Sequence, residues 1–189
     1  METISQTNYI KQLYNQNGIC LKKDTLDETY TLNLCINNKN VSIDQIYNFN
    51  LYRLLYELNK DILELVEIKN ETENSCDVLL VFKQFGLEFG IPQKYMILTN
   101  NKKKINNAKI NYKGDDNNSN IFNVDHSYEK ITVHKSDLNI IEASSGNYLI
   151  TYEFNIDIHE NLPQFMENII GTLIKNIFIR FKYFIENYK

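Results

Sequence analysis

Apolar positions recur along the chain with two different periods. Over residues 29–36 they alternate: Tyr30, Leu32, Leu34 and Ile36 share one face while Thr29, Thr31, Asn33 and Cys35 share the other, which predicts a strand. Residues 62–69, 76–85 and 95–99 follow the same period between Asn-rich or Gly-containing turns, and 108–112 follows it more weakly. Two further strands are expected at 130–143, with an irregularity near 135–137, and at 147–157, where Tyr148, Ile150, Tyr152, Phe154 and Ile156 lie opposite Thr151, Glu153 and Asn155. Ser144, Ser145 and Gly146 supply the turn of an antiparallel hairpin between them.

Helical spacing appears in three places. Ile10, Leu13 and Tyr14, followed by Gly18, predict a short opening helix. Ser42 and Gln45 have capping-box spacing, and Ile43, Ile46, Tyr47, Leu51, Leu54, Leu55 and Leu58 then recur at intervals of three and four, which places two short helices, or one bent one, within 42–59. The longest signal, 162–187, has Pro163 and Glu167 in its first turns and Lys175, Arg180, Lys182 and Lys189 towards its end. Its apolar set of Met166, Ile169, Ile170, Leu173, Ile174, Ile177, Phe178, Phe181, Phe184 and Ile185 is wider than one stripe, so this helix is expected to bury more than one side or to face something apolar that the chain does not supply.

No internal repeat or linker divides these elements, so residues 1–189 are expected to form one domain around one core. The expected class is α+β: a curved antiparallel sheet of about six to seven strands with a long C-terminal helix across its concave face, two short helices after the first strand and a short N-terminal helix. The segment 114–127, rich in Asp, Asn and Ser, reads as the longest exposed loop.

Composition narrows the function. With 43% hydrophobic residues, 12% aromatics, 6 Gly and 2 Pro in 189 residues, the chain is neither disordered nor collagen-like. A net charge of −4 and only two arginines, Arg53 and Arg180, speak against a nucleic-acid partner, which needs a basic face. Cys20, Cys35 and Cys76 lack paired spacing and suit a reducing compartment as small buried hydrophobes. No signal peptide is visible, and Glu167, Asn168, Lys175, Asn176, Arg180 and Lys182 interrupt the most apolar stretch. A soluble, cytoplasmic monomer is expected.

Catalytic signals are sparse. His126, His134 and His159 form no i, i+4 pair, no metal site is expected, and no cofactor is implied. Nucleophile-elbow, phosphate-loop and dinucleotide motifs are absent. Gly86 and Gly90 suit a bend. Asp157, His159 and Glu160 suit either a general base or helix capping, and capping is the simpler reading. Lys102, Lys103 and Lys104, with Lys94 and Lys109 nearby, suit a solvated turn or contact with anionic lipid.

Ser42-Ile43-Asp44-Gln45-Ile46-Tyr47 leads into Tyr52-Arg53-Leu54-Leu55-Tyr56-Glu57, a helix ending in Arg-x-x-Tyr-Glu. Ile91-Pro92-Gln93-Lys94-Tyr95-Met96-Ile97 opens a strand. Asn155-Ile156-Asp157, then Asn161-Leu162-Pro163 and Asn168, reads as a strand ending in Asp, a Leu-Pro helix start and an Asn one turn on. These three stretches resemble the START (steroidogenic acute regulatory protein-related lipid transfer) domain family of the helix-grip class. The first is similar to the family's helix ending in Arg-x-x-Trp-Asp, with Tyr and Glu replacing Trp and Asp; the second stands where the family carries an Arg-Asp pair opening a strand; the third resembles its strand end and helix start.

The resemblance implies a hydrophobic tunnel between sheet and terminal helix that holds one lipid, phospholipid or sterol, in a carrier that is not an enzyme. The wall residues it points to are Val78, Leu80, Phe82, Ile97, Tyr148, Ile150, Tyr152, Phe154, Met166, Ile170, Leu173 and Ile177, with Lys102, Lys103 and Lys104 touching the membrane transiently. The loop 114–127 and the terminal helix are expected to move to admit cargo. Two alternatives stand beside it: a cavity enzyme of the polyketide cyclase or hydratase type, and a filled-core protein interaction module.

Overall fold

A computed structural model of the chain describes residues 9–46, 48–159 and 169–189. Its strands are β1 (Ile10–Gln16), β2 (Ile19–Asp24), β3 (Tyr30–Asn37), β4 (Leu63–Lys69), β5 (Ser75–Phe82), β6 (Lys94–Asn106), β7 (Lys109–Asp116), β8 (Glu129–Lys130), β9 (Thr132–Ser144) and β10 (Asn147–Asp157). Helices α1 (Ile43–Ile46) and α2 (Asn50–Leu58) follow β3, and α3 (Ile169–Asn187) closes the chain. The sheet runs β1-β2-β3-β10-β9-β7-β6-β5-β4, with every neighbour antiparallel and the short β8 beside β6.

The expected class holds, with ten strands where about six to seven were expected. Most of the difference lies at the start of the chain. The expected opening helix is strand β1, because Asn17 (φ 53°) and Gly18 (φ 71°) make a two-residue turn that returns it along β2. Asn-Gly between two runs is the strongest short hairpin signal, and a single helical turn is marginal by itself. In β2, Ile19, Leu21 and Lys23 alternate inwards.

Elsewhere the boundaries move and the elements stay. β5 ends at Phe82, and residues 83–93 turn through Gly86 (φ 68°) and Gly90 (φ 74°) on either side of a short 3-10 turn, Leu87–Phe89. β6 is far longer than expected and carries Lys102, Lys103 and Lys104 within the strand, not in a turn. β7 takes in Gly114, Asp115 and Asp116. The irregularity expected in β9 is a shift of register around His134, which leaves Val133, Ser136, Leu138 and Ile140 on the buried face. The capping box forms as expected: Gln45 Oε1 accepts from the Ser42 amide at 2.7 Å and Ser42 Oγ accepts from the Gln45 amide at 3.3 Å.

Helix α3 rests on β2, β3 and α2. Three contacts anchor its C-terminal half. Arg180 Nη2 donates to Asp61 Oδ2 at 2.8 Å while Nη1 bonds Asp61 Oδ1 and donates to Asn59 Oδ1 at 3.2 Å. Asn38 Nδ2 donates to the carbonyls of Ile185 and Tyr188, both at 2.7 Å, at the end of the helix, where backbone carbonyls run short of intrahelical donors. Lys182 Nζ donates to the Cys35 carbonyl at 2.5 Å. The first residues expected in this helix, including Leu162, Pro163, Glu167 and Asn168, lie outside the described residues.

Two apolar clusters result. The main one fills the concave face beneath α2 and α3. The second lies on the opposite face of β5 and β6, where Leu79, Val81 and Ile97 pack under Phe122. The loop expected to gate the cargo therefore covers the far side of the sheet, away from the helix. Phe122 draws it there by hydrophobic burial, and Lys69 Nζ fixes it by donating to the Ile121 carbonyl at 2.8 Å.

Candidate functional site: a cavity beneath the terminal helix

The strands that face α2 and α3 do not fill the space they enclose. Between them lies a cavity of about 90 Å³, several times the roughly 10–15 Å³ that one water requires. Apolar side chains from α2 (Leu51, Leu55), the middle strands (Leu80, Phe82, Met96, Leu98) and α3 (Ile174, Ile177, Phe178) make most of its wall. Leu80, Tyr152 and Ile156 point inwards yet are only half-buried, because the space before them is open. A smaller recess bounded by Phe85, Ile131 and Leu173 shares Phe82, Ile156 and Ile174 with the cavity and extends it towards the start of α3.

Strand pairing explains which residues face inwards. Val78, Leu80 and Phe82 alternate on β5 opposite Leu98 and Met96 of β6, and Asn100 continues the row beside Cys76. On β10, Tyr148, Ile150, Tyr152, Phe154 and Ile156 share the concave face, as their alternation predicts.

Of the residues assigned to a tunnel wall, Leu80, Phe82, Tyr152 and Ile177 line the cavity and Leu173 lines the recess. Val78, Tyr148, Ile150 and Phe154 belong to the packed core on the same face; Phe154 stacks between Tyr30 and Tyr152 with centroids 5.0 Å apart in each case, and the Tyr148 hydroxyl donates to the Val41 carbonyl. Ile97 sits on the opposite face, since within β6 the even positions turn inwards and the odd positions outwards. Met166 and the side chain of Ile170 lie outside the described residues. Periodicity had not pointed to Leu51, Tyr52 and Leu55 of α2 or to Asn100 and Ser136 as wall residues, because a short amphipathic helix signals burial without saying against what.

One end of the cavity is polar. Tyr52 donates its hydroxyl to Asn100 Oδ1 at 2.7 Å, and Tyr152 and Ser136 share a hydrogen bond at 3.1 Å. Gly114 makes the room: a Cβ there would stand 2.9 Å from Ser136 Oγ and 3.1 Å from Asn100 Oδ1. Burial pushes the phenols of Tyr52, Tyr112 and Tyr152 above their ordinary range, so they stay protonated. Among the described residues lining the cavity, none carries a charge.

The other candidates for chemistry lie elsewhere. His159 is exposed; its ring contacts Thr132 Oγ1 at 2.7 Å and Asp157 Oδ2 at 3.1 Å, and its amide donates to Asp157 Oδ1 in a local turn. Among the described residues no group of three acidic, His or Cys side chains is placed to hold a metal ion. Lys94, in the place of the Arg-Asp pair, is fully buried, with Nζ donating to Glu129 Oε2 at 2.7 Å and to the Ile158 carbonyl at 3.1 Å. The strand splits the lysine run: Lys102 lies over the Phe49 ring at 5.6 Å, Lys104 pairs with Asp44 at 3.1 Å, and Lys103 faces the other way.

These features define a class first: an α+β protein whose curved antiparallel sheet grips a C-terminal helix over a largely apolar cavity. No protein-family model matches the sequence, and no curated protein matches it. Solved structures do share its fold. Human StAR-related lipid transfer protein 5 superposes with a TM-score of 0.66 at 12% identity, over 96% of this chain and 86% of its own. The lipid transfer and protein localization domain of human StarD13 (DLC2) reaches 0.73 at 11% identity, over 95% and 90%. The STAR-related lipid transfer protein from Xanthomonas axonopodis reaches 0.65 at 8% identity, over 92% and 97%. The fold of this chain is the START, or helix-grip, fold. Among the described residues no helix is long and apolar enough to cross a membrane.

Proposed function

We propose that this protein binds one lipid in the cavity between the sheet and α3 and carries it between membrane surfaces. One observation carries the reading: a mostly apolar space on a fold shared with lipid transfer domains, at the place where sheet and terminal helix meet. Each methylene moved from water into such a wall gains about 0.8 kcal/mol, so a short stretch of acyl chain supplies useful affinity. Ordinary ligand pockets enclose roughly 300–1,000 Å³, well above the cavity's present volume. Loading a whole lipid therefore requires the space to widen, by an outward movement of α3 that loosens its contacts at Gly171 and Lys175.

A carrier is favoured over a catalyst by the lining, whose polar groups are an amide and protonated hydroxyls. Contact with anionic membranes falls to Lys102, Lys103 and Lys104 in this reading. Protein purified from cells, extracted with solvent and examined by mass spectrometry should release a lipid in near-stoichiometric amount. A lipid-free extract, together with no uptake of a fluorescent lipid from vesicles, would end the proposal.

A further inference from the structure

Resting on the reading of the cavity as a lipid site, we infer that its ligand is an uncharged lipid presenting a hydroxyl or carbonyl oxygen to the side-chain amide of Asn100. Asn100 is 2% exposed and stands in the cavity wall. Its carbonyl oxygen is taken by the Tyr52 hydroxyl at 2.7 Å, which fixes the amide's orientation, while Nδ2 is buried without an acceptor. A buried donor that has given up water without gaining a partner is costly to keep and is rare in native structures. Gly114, directly opposite on β7, leaves the space that Oδ1 of this amide and Ser136 Oγ occupy, which seats the amide in the wall. An oxygen acceptor brought in by a ligand would satisfy Nδ2.

The surroundings select the charge of that ligand. The described lining offers an amide and hydroxyls but no lysine, arginine or histidine, so a phosphate or carboxylate drawn inside would be desolvated without a counter-charge. A hydroxyl, ketone or ester oxygen meets the single donor at no such cost. Asn100 is thus a specificity residue, and Tyr52 positions it.

The test uses the full chain and displacement of N-phenylnaphthylamine, an uncharged apolar fluorophore, by decanol, decane and decyl phosphate. Wild type should release the fluorophore to decanol and decane and not to decyl phosphate. Asn100→Leu should weaken decanol by roughly three- to ten-fold, the worth of one hydrogen bond, and leave decane within two-fold. An independent readout needs no variant: the Asn100 side-chain amide resonance of wild type should move with decanol and stay with decane. Equal decanol affinity in Asn100→Leu, an unmoved amide resonance, or displacement by decyl phosphate as strong as by decanol would overturn the inference while the lipid cavity stands. Failure of the fluorophore to bind wild type would overturn the cavity itself, and this inference with it.

Discussion

The Cα of Gly171 lies so close to the Tyr30 ring that a Cβ there would stand 2.6 Å from Tyr30 Cε1 and 2.8 Å from Cδ1. The ring has little freedom to yield, since it stacks on Phe154 with planes only 6° apart. Glycine inside a helix costs about 1 kcal/mol relative to alanine, so in an isolated helix Gly171→Ala would stabilise. Against Tyr30 the overpacking cost, about 1–3 kcal/mol, outweighs that gain. Gly171→Ala should lower Tm by a few degrees, at about 2–4 °C per kcal/mol for a chain of this size, and Gly171→Val by more. A Tm at or above wild type would mean that α3 is not seated at this distance.

The contact between Arg180 and Asp61 makes stability depend on pH. The Arg180 guanidinium holds the Asp61 carboxyl below its usual range. A carboxyl with a lowered folded pKa contributes its stability above the ordinary value of 3.8 and loses it as pH falls through the lowered one. Both partners are substantially exposed, so solvent screening keeps the contribution modest. In thermal melts Asp61→Asn should be less stable than wild type at neutral pH, and the gap should close as the pH drops below about 4. A gap that widens on acidification would contradict this sign.

The same anchor shows what a sequence leaves hidden. Periodicity located β3, both short helices, the β9–β10 hairpin and α3, because each buries one face and alternation or helical spacing follows directly. It misses β1 and β2, where the Asn17-Gly18 turn is the better signal and three apolar residues at helical spacing mislead. At the site it found Leu80, Phe82, Tyr152 and Ile177, yet it placed Ile97 on the wrong side of β6, where 96 to 98 are all apolar and alternation gives no phase. Asn100 and Ser136 were out of its reach: a polar residue in a strand reads as outward-facing until its neighbours are known. The pairing of Arg180 with Asp61 joins residues 119 positions apart and leaves no local trace.

The three cysteines, which composition grouped as buried hydrophobes, separate in the structure: Cys76 is buried, Cys20 half-buried and Cys35 exposed. Burial pushes the Cys76 thiol up to about 12, with Glu71 and Asp77 adding to the shift. Thiolate is the reactive form, so Cys76 should resist alkylation in the native state. Iodoacetamide followed by peptide mass spectrometry should find Cys35 modified first, Cys20 later and Cys76 only in denaturant. Early labelling of Cys76 would show that the cavity end beside Tyr52 and Tyr112 opens readily.

Membrane contact by the lysine run has a measurable ceiling. Each cation close to an anionic surface contributes about 1 kcal/mol at low salt, so replacing Lys102, Lys103 and Lys104 together by Gln should weaken binding to phosphatidylserine vesicles by up to roughly a hundred-fold. Since β6 turns Lys103 away from its two neighbours, Lys103→Gln alone should account for a minority of that loss. Co-sedimentation at two salt concentrations checks both statements. Unchanged binding of the triple variant would move the docking surface elsewhere on the protein.

A lipid cavity and a merely imperfect core respond in opposite ways to being filled. Leu80 points into the space, is only half-buried, and sits at the centre of β5 opposite Met96. Forcing a larger side chain into a well-packed core costs typically about 1–3 kcal/mol. Filling an open apolar space adds contacts and buries area at about 25 cal/mol per Å². Leu80→Trp should therefore leave Tm unchanged or raise it while abolishing uptake of a fluorescent lipid. Loss of several degrees with lipid uptake intact would place the lipid away from Leu80, and loss of both would leave Leu80→Phe, a smaller step into the same space, to decide between a strained core and a blocked cavity by the direction of its Tm.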